Sequence, residues 1–380
     1  MPQLPPIPMQ FWSLLALCLL ALLSLWWVLL GSGRAARRRS LRARIVAVTP
    51  GGAAALAPAQ DAAIQQSIAQ QVPPLQAASA GAPRRGTLYT TPWFLFVGDA
   101  SANVAELLAL AAGSRSTQDA APAAGRPFWC WHRLASMVAI EVHPAVLGDP
   151  PDARERSLWY RALLDLAERR KRLPLNGIVV CVSASSLLQP ARVRDELARR
   201  LRALVHEAAE HLRIQLPVYL VVTGLERIDG FDALRAALPA GVLEQALGHR
   251  LHNGTAPRVP ADTQLDGLYD EIMQRMHALR MALFRAERSP AQRHAIHAFV
   301  EHLRSLQPGL RSTADVLFGY GAGPRSPRWR GLYFTSTPSN GTAGAFAQDL
   351  FTRFLPSDQP LAHSRRPGAA NDSDFASTRM

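Results

Sequence analysis

Lysine is all but missing from this 380-residue chain. Lys171 is the only one, so the formal charge of +13 rests on arginine. Together with abundant alanine, this matches codon bias in a GC-rich genome. Cysteine is scarce too: Cys18, Cys130 and Cys181 stand far apart with no C-x-x-C pair. That excludes a disulfide framework and the usual spacing of a zinc site. Reduced, buried thiols are expected instead. The chain has no H-E-x-x-H, no G-x-S-x-G, and no signature of an RRM, a zinc finger or a helix-turn-helix. These gaps remove a zinc protease, a serine hydrolase of that frame and, despite the basic balance, a nucleic-acid reader from the expectations.

What the chain does have begins with an uncharged apolar run over residues 11–31, of about membrane-spanning length. Trp12, Trp26 and Trp27 lie near its ends, where indole rings favour the headgroup zone. Arg34, Arg37, Arg38, Arg39, Arg42 and Arg44 follow at once. The positive-inside rule then puts residues 1–10 outside as an extracytoplasmic (periplasmic) tail and everything beyond the run in the cytoplasm. A signal peptide fits poorly: the basic cluster is on the wrong side, the run is too long, and no clean small-residue cleavage site follows. A single-pass membrane helix over 11–31 is expected. The basic excess beside it points to anionic lipid rather than nucleic acid.

Residues 32–86 read as a basic juxtamembrane segment and an Ala/Gln/Gly/Pro-rich linker, with a candidate helix at Asp61–Gln71. Beyond it, strands and helices alternate. Phe94–Val97, Met137–Val142, Gly177–Ser183 and Val218–Thr223 are apolar runs of strand length, the last two continuous as in parallel strands buried on both faces. Helical spacing covers Ser157–Arg172 and a stretch with Val193, Leu197, Leu201, Leu204, Val205 and Leu212 on one side. An α/β domain with a mainly parallel sheet is expected over 87–250. Residues 251–355 read as a helical subdomain with a closing strand at Gly331–Thr335 and a closing helix at Ala345–Phe354. Residues 356–380, polar and rich in Pro, Ser, Asp and Gly, read as a disordered tail.

The first strand, its loop and the Ala/Leu-rich helix after it have the layout of a P-loop, in which glycine-flanked amides and a lysine hold phosphates. On the frame G-x-x-x-x-G-K-[ST], Gly98 fits the first glycine. Asn103 stands for the second, Val104 for the lysine and Ala105 for the magnesium-binding hydroxyl. The scaffold is present and its chemistry is missing.

Four segments in order resemble one family. They are Leu88–Gly98, Leu173–Val180 with its Pro174-Leu175-Asn176-Gly177 core, Leu216–Thr223 followed by Asp229-Gly230-Phe231, and Arg330–Ser336. They are similar to the L-Y-x-L-P-W-Y-x-x-x-G, R-P-I-N-G-V, F-P-V-Y-x-x-x-T-K-x-D-x-x-x-G-F and R-G-x-Y-F-T-S strings of the cytoplasmic region of TssM/IcmF proteins, the large inner-membrane components of type VI secretion and related systems. The resemblance covers roughly residues 88–355 and implies a P-loop GTPase-like fold. It also lets two more segments be compared. The family's D-T-A-G falls on Glu141-Val142-His143-Pro144, where Pro144 has no N–H to give a phosphate. Its T-K-x-D falls on Thr223-Gly224-Leu225-Glu226, without the lysine.

What the resemblance implies is a non-catalytic, membrane-anchored scaffold or assembly regulator with a pseudo-GTPase domain and no cofactor. Its implied partners are other type VI secretion subunits: TssL, baseplate proteins or full-length TssM. Full-length relatives carry further spans and a periplasmic region, so this chain is not expected to bridge the envelope by itself. The alternative is a nucleotide-dependent switch or NTPase with an atypical P-loop. A decayed product is a third reading, opposed by the intact strand patterns.

Smaller groupings carry weaker signals. His249 with His252, and His294, His297 and His302, are at helical spacing but lack companion ligands, so solvated histidines are expected. Ser183, Ser185 and Ser186 follow a strand without the nucleophile-elbow frame. Trp93, Trp129, Trp131, Trp159 and Trp329 read as packing. Arg194, Arg199, Arg200 and Arg202 read as a solvated face with Asp195 and Glu196, or as a docking surface for an acidic partner.

Overall fold

Valine, isoleucine and aromatic runs fit a pleated, buried surface, and here they form the parallel strands of one sheet. A computed structural model describes residues 9–48, 89–112, 128–148, 152–251, 260–287, 289–319, 328–337 and 344–362. Among these, β1 (Trp93–Gly98), β2 (Trp129–Arg133), β3 (Val138–Val142), β4 (Gly177–Ser183), β5 (Pro217–Thr223), β6 (Leu247–Arg250) and β7 (Arg328–Phe334) form a seven-stranded sheet of order β2-β3-β1-β4-β5-β7-β6. β1, β3, β4, β5 and β7 run parallel, and β2 and β6 are antiparallel edges. The expected α/β class is what the chain adopts.

Strand periodicity of two sorts the core by face. Leu95, Val97, Ile178, Val180, Leu220, Val222, Leu332 and Phe334 point to one side. There they meet α3 (Ala153–Arg169), α4 (Ala191–Leu212), α6 (Ala261–Ala286), α7 (Pro290–Ser305) and α8 (Gln307–Phe318). Phe94, Phe96, Val179, Cys181, Tyr219, Val221 and Tyr333 point to the other, against α2 (Val104–Ala111) and the closing segment Leu350–Leu355. The short helix α5 (Phe231–Ala237) docks Phe231 on Phe299 of α7, with centroids 5.6 Å apart. The tryptophans are packing residues. Trp93 meets Trp131 edge-on at 4.9 Å, Trp129 meets Trp159 at 6.2 Å, and Trp329 stacks on Phe318 at 5.0 Å.

Several elements depart from expectation. β2, β6 and α8 have no counterpart in the sequence reading, and the closing helix is a π-turn at Leu350–Phe354. β7 lies between β5 and β6, so residues 251–355 contribute a strand to the same sheet as residues 87–250. Val193 on α4 is exposed rather than part of its buried face. Residues 356–362 fold back onto the sheet, and Asp358 is buried. The candidate helix at 61–71, residues 113–127, His252 and residues 363–380 lie outside the described residues.

The apolar run belongs to α1 (Met9–Val48), one continuous helix that carries on through the arginines. Its second half docks on α3: Leu41 is fully buried, Arg37 donates to the carbonyl of Lys171 at 3.4 Å, and Arg38 and Arg42 pair with Glu168. Among the described residues no helix is long and apolar enough to cross a membrane. The described side chains of the run cover residues 13–25. At 1.5 Å per residue they span about 20 Å, against a hydrocarbon layer of about 30 Å. Leu14, Leu15, Leu17, Leu19, Leu20, Leu22, Leu23 and Leu25 are all exposed.

Candidate functional site

In an open α/β sheet the ligand crevice lies beyond the carboxyl ends of the strands, where the connections change direction. Here that point is between β1 and β4, since β1 pairs with β3 on one side and β4 on the other. β1 ends at Gly98, followed by Asp99, a 3-10 turn at Ala100–Ala102, and Asn103 before α2. Asn103 takes the left-handed conformation (φ 50, ψ 46), which asparagine tolerates. Gly98 answers a packing demand: a Cβ there would lie 2.8 Å from the carbonyl oxygen of Cys181 and 3.0 Å from Val104.

The floor of the crevice carries a network of the chain's own polar side chains. Ser101 donates to the Asp99 carboxylate and lies 2.8 Å from Ser183 Oγ and 2.9 Å from Ser186 Oγ. Ser186 donates to Asp99 at 3.3 Å, while Ser183 accepts from the Ser186 amide at 3.0 Å and lies 2.9 Å from Ser185 Oγ. Asp99 Oδ1 is buried with no hydrogen-bond partner among the described residues. A phosphate here would meet a carboxylate rather than an ammonium. At about 4 Å, with an effective dielectric of about 20, such like-charge contact costs about 4 kcal/mol per pair of unit charges. Burial, with Asp99 and Glu141 adding to it, pushes the Cys181 thiol up, so that neighbour stays neutral.

The remaining positions are committed elsewhere. Glu141 on β3, which falls on the aspartate of D-T-A-G, binds His132 Nε2 at 2.8 Å. Pro144 opens a 3-10 turn in which His143 Nδ1 accepts from the Ala145 amide at 3.3 Å. Gly98, Asn103, Val104, Ala105, Glu141 and Pro144 do come together around a cleft of about 170 Å³. That alone is below the roughly 300–1,000 Å³ of small-molecule pockets, but it adjoins a cleft of about 780 Å³ that shares Asp99, Ala100 and Pro144 and is also lined by Ser186, Arg192 and Arg200. Thr223 ends β5 with its hydroxyl buried, and Gly224 is left-handed (φ 82). Glu226, which falls on the aspartate of T-K-x-D, accepts from the Thr337 amide at 3.0 Å and its hydroxyl at 2.8 Å. It ties the β5 end to the β7 exit instead.

Other groupings resolve as structure. Arg199 and Arg200 bind Glu196, Arg194 lies 3.4 Å from Asp195, and Arg202 donates to the Val316 carbonyl at 3.3 Å. His249 lies 2.9 Å from Glu271, while His294, His297 and His302 are exposed on α7. Ser101 and Asp99 escaped the sequence reading as partners of Ser183 and Ser186, because 82 to 87 residues separate them. A polar network at the opposite edge was missed as well. Asp358 accepts from Arg330 at 2.9 Å, Tyr219 at 2.7 Å and Arg250 at 3.2 Å. Asn176 accepts from the Trp93 amide at 2.9 Å and from Arg170 at 3.0 Å. The N-G and R-G-x-Y-F-T-S strings therefore tie strands and the closing segment together.

The family model described as the IcmF-related N-terminal domain matches residues 152–374. The chain is also 24% identical over 314 residues to the type VI secretion system component TssM1 of Pseudomonas aeruginosa. That match takes in 78% of this chain and 28% of that protein, so the chain spans less than a third of its relative's length. With more than half its residues matched by the family model, and the fold and motif positions described above, the chain belongs to the IcmF-related (TssM/IcmF) family.

Proposed function

We propose that the chain is a non-catalytic, membrane-anchored component of a type VI secretion complex, a scaffold or assembly regulator whose cytoplasmic domain is a pseudo-GTPase. One observation carries the non-catalytic part: where a phosphate would sit between β1 and β4 stands the Asp99 carboxylate, held by Ser101 and Ser186 and networked to Ser183. The absence of a lysine and a hydroxyl at Val104 and Ala105 adds to it, because phosphoryl transfer depends on positioned charge. Family membership supports the secretion role and partners such as TssL, baseplate proteins or full-length TssM. The apolar run, leucine-rich on all sides of its helix and followed by arginines, supports a single-pass anchor in the bacterial inner membrane, with the N-terminus periplasmic.

Two measurements test this reading. In a titration with fluorescent GTP and magnesium, the full chain should show no saturable binding below the millimolar range. Restoring the lysine alone (Val104→Lys) should not change that, since the serine–carboxylate network remains. Micromolar, magnesium-dependent binding by the unaltered chain would remove the pseudo-GTPase reading. In a cross-linked membrane pull-down, secretion subunits should be recovered. Their absence would sink the secretion role.

A further inference from the structure

The path of α1 fixes which edge of the sheet faces the bilayer. α3 follows β3 and precedes β4, so it runs from the carboxyl edge of the sheet back to the amino edge. The docked half of α1 runs against it. Arg37 meets the Lys171 carbonyl just past the end of α3, and Arg38 and Arg42 reach Glu168. Farther along, Arg44 is close enough to affect the ionisation of Tyr160 and His211. α1 therefore travels from the amino edge toward the carboxyl edge, and its apolar half projects beyond the amino edge. Arg37 lies about 9 Å along the helix from Gly31, a little beyond the roughly 5–8 Å headgroup layer on that side and within a Debye length of it.

That amino edge is basic. Lys171 and Arg172 are exposed in the loop after α3, and Arg328 is exposed where β7 begins. Of the acidic groups near this edge, Glu168 pairs with Arg38 and Arg42, Asp358 with Arg330 and Arg250, and Asp165 with Arg169, while Glu210 near the end of α4 lies 3.7 Å from His206. The crevice lies at the other end of the strands. The seven residues of β4 place it about 20 Å farther from the bilayer. This exceeds the Debye length of about 8–10 Å, so headgroup charge acts on the loop of Lys171 and not on the crevice.

Resting on the anchor reading above, we propose that the amino edge of the sheet, with Lys171 and Arg172, is a surface for anionic lipid headgroups. The carboxyl edge is then presented to the cytoplasm. The orientation is set by a continuous helix rather than by a flexible tether.

The test uses the full chain, with Cys18→Ser and Cys130→Ser, in phosphatidylglycerol-containing vesicles that carry a headgroup spin label. A fluorophore is placed at Lys171→Cys, which leaves the backbone carbonyl that binds Arg37 untouched, or at exposed Gln189→Cys beyond the carboxyl edge. Quenching at position 171 should be at least threefold stronger than at 189. Equal quenching, or stronger quenching at 189, in chains that float with the vesicles would overturn the orientation and leave the anchor standing. Chains that fail to float would overturn the anchor and the orientation together.

Discussion

Asp358 and Arg330 form a buried pair, both about 5% exposed or less. Removing one partner of such a pair leaves an uncompensated charge and costs about 3–5 kcal/mol. Asp358→Asn should lose stability of that order in urea unfolding. The double change Asp358→Leu with Arg330→Met should lose less than the single one, because no buried charge is then stranded: Arg250, which also meets Asp358, is partly exposed to water. His211 gives a pH signature. Burial lowers its pKa from the ordinary 6.5, with Arg44 and Arg156 lowering it further against Glu207 and Glu210. Above pH 6.5 both folded and unfolded forms are neutral and the residue contributes full stability. Below it the unfolded chain takes up the proton first, so stability falls until the folded pKa is passed. Urea midpoints from pH 7.5 to pH 5 should show this decline, and His211→Gln should flatten it.

At the level of elements, α1 binds the domain through one fully buried leucine and a few polar contacts. Leu41→Asp should release its docked half. Amides of residues 38–45 should then exchange at least tenfold faster, with those of β4 unchanged, as expected for local opening. The elements readable in the sequence share a cause with those that stayed hidden. β4 and β5 are continuous apolar runs buried on both faces, and α3 and α4 have long apolar stripes. β2 has only five residues, alternately buried and partly exposed, and β6 is Leu-Gly-His-Arg, half-buried and without a β-branched residue. α8 starts on Gln307-Pro308-Gly309, which reads as a break. The proline sits in the first turn, where it is tolerated. Gly309 is there because a Cβ would lie 2.2 Å from the Leu187 carbonyl oxygen. In the candidate site the losses at Val104 and Ala105 were readable, whereas the serines around Asp99 converge only through the pairing of β1 with β4.

Across the whole molecule the two faces of the sheet are covered unequally. Among the described residues one carries α3, α4, α6, α7 and α8 with α1 and α5 packed beside them, while the other depends on α2 and the closing segment. A chain ending at Gln348 would uncover Phe96 and Tyr219 and strand Arg330. It should show no cooperative thermal transition by circular dichroism, whereas the full chain should show one. The fold is thus completed by residues far along the chain, and β7 makes the same point more sharply. It is the only strand that pairs with β6 among the described residues, and it also covers the side of β5 away from β4. During synthesis at about 5–20 residues per second, the ribosome needs on the order of ten seconds to pass from Arg250 to Arg328. Through that interval β5 has a bare hydrogen-bonding edge and β6 has no neighbour. An unpaired apolar edge recruits foreign strands. Arrested or prematurely released products of this gene are therefore clients for chaperones and proteases rather than smaller working copies.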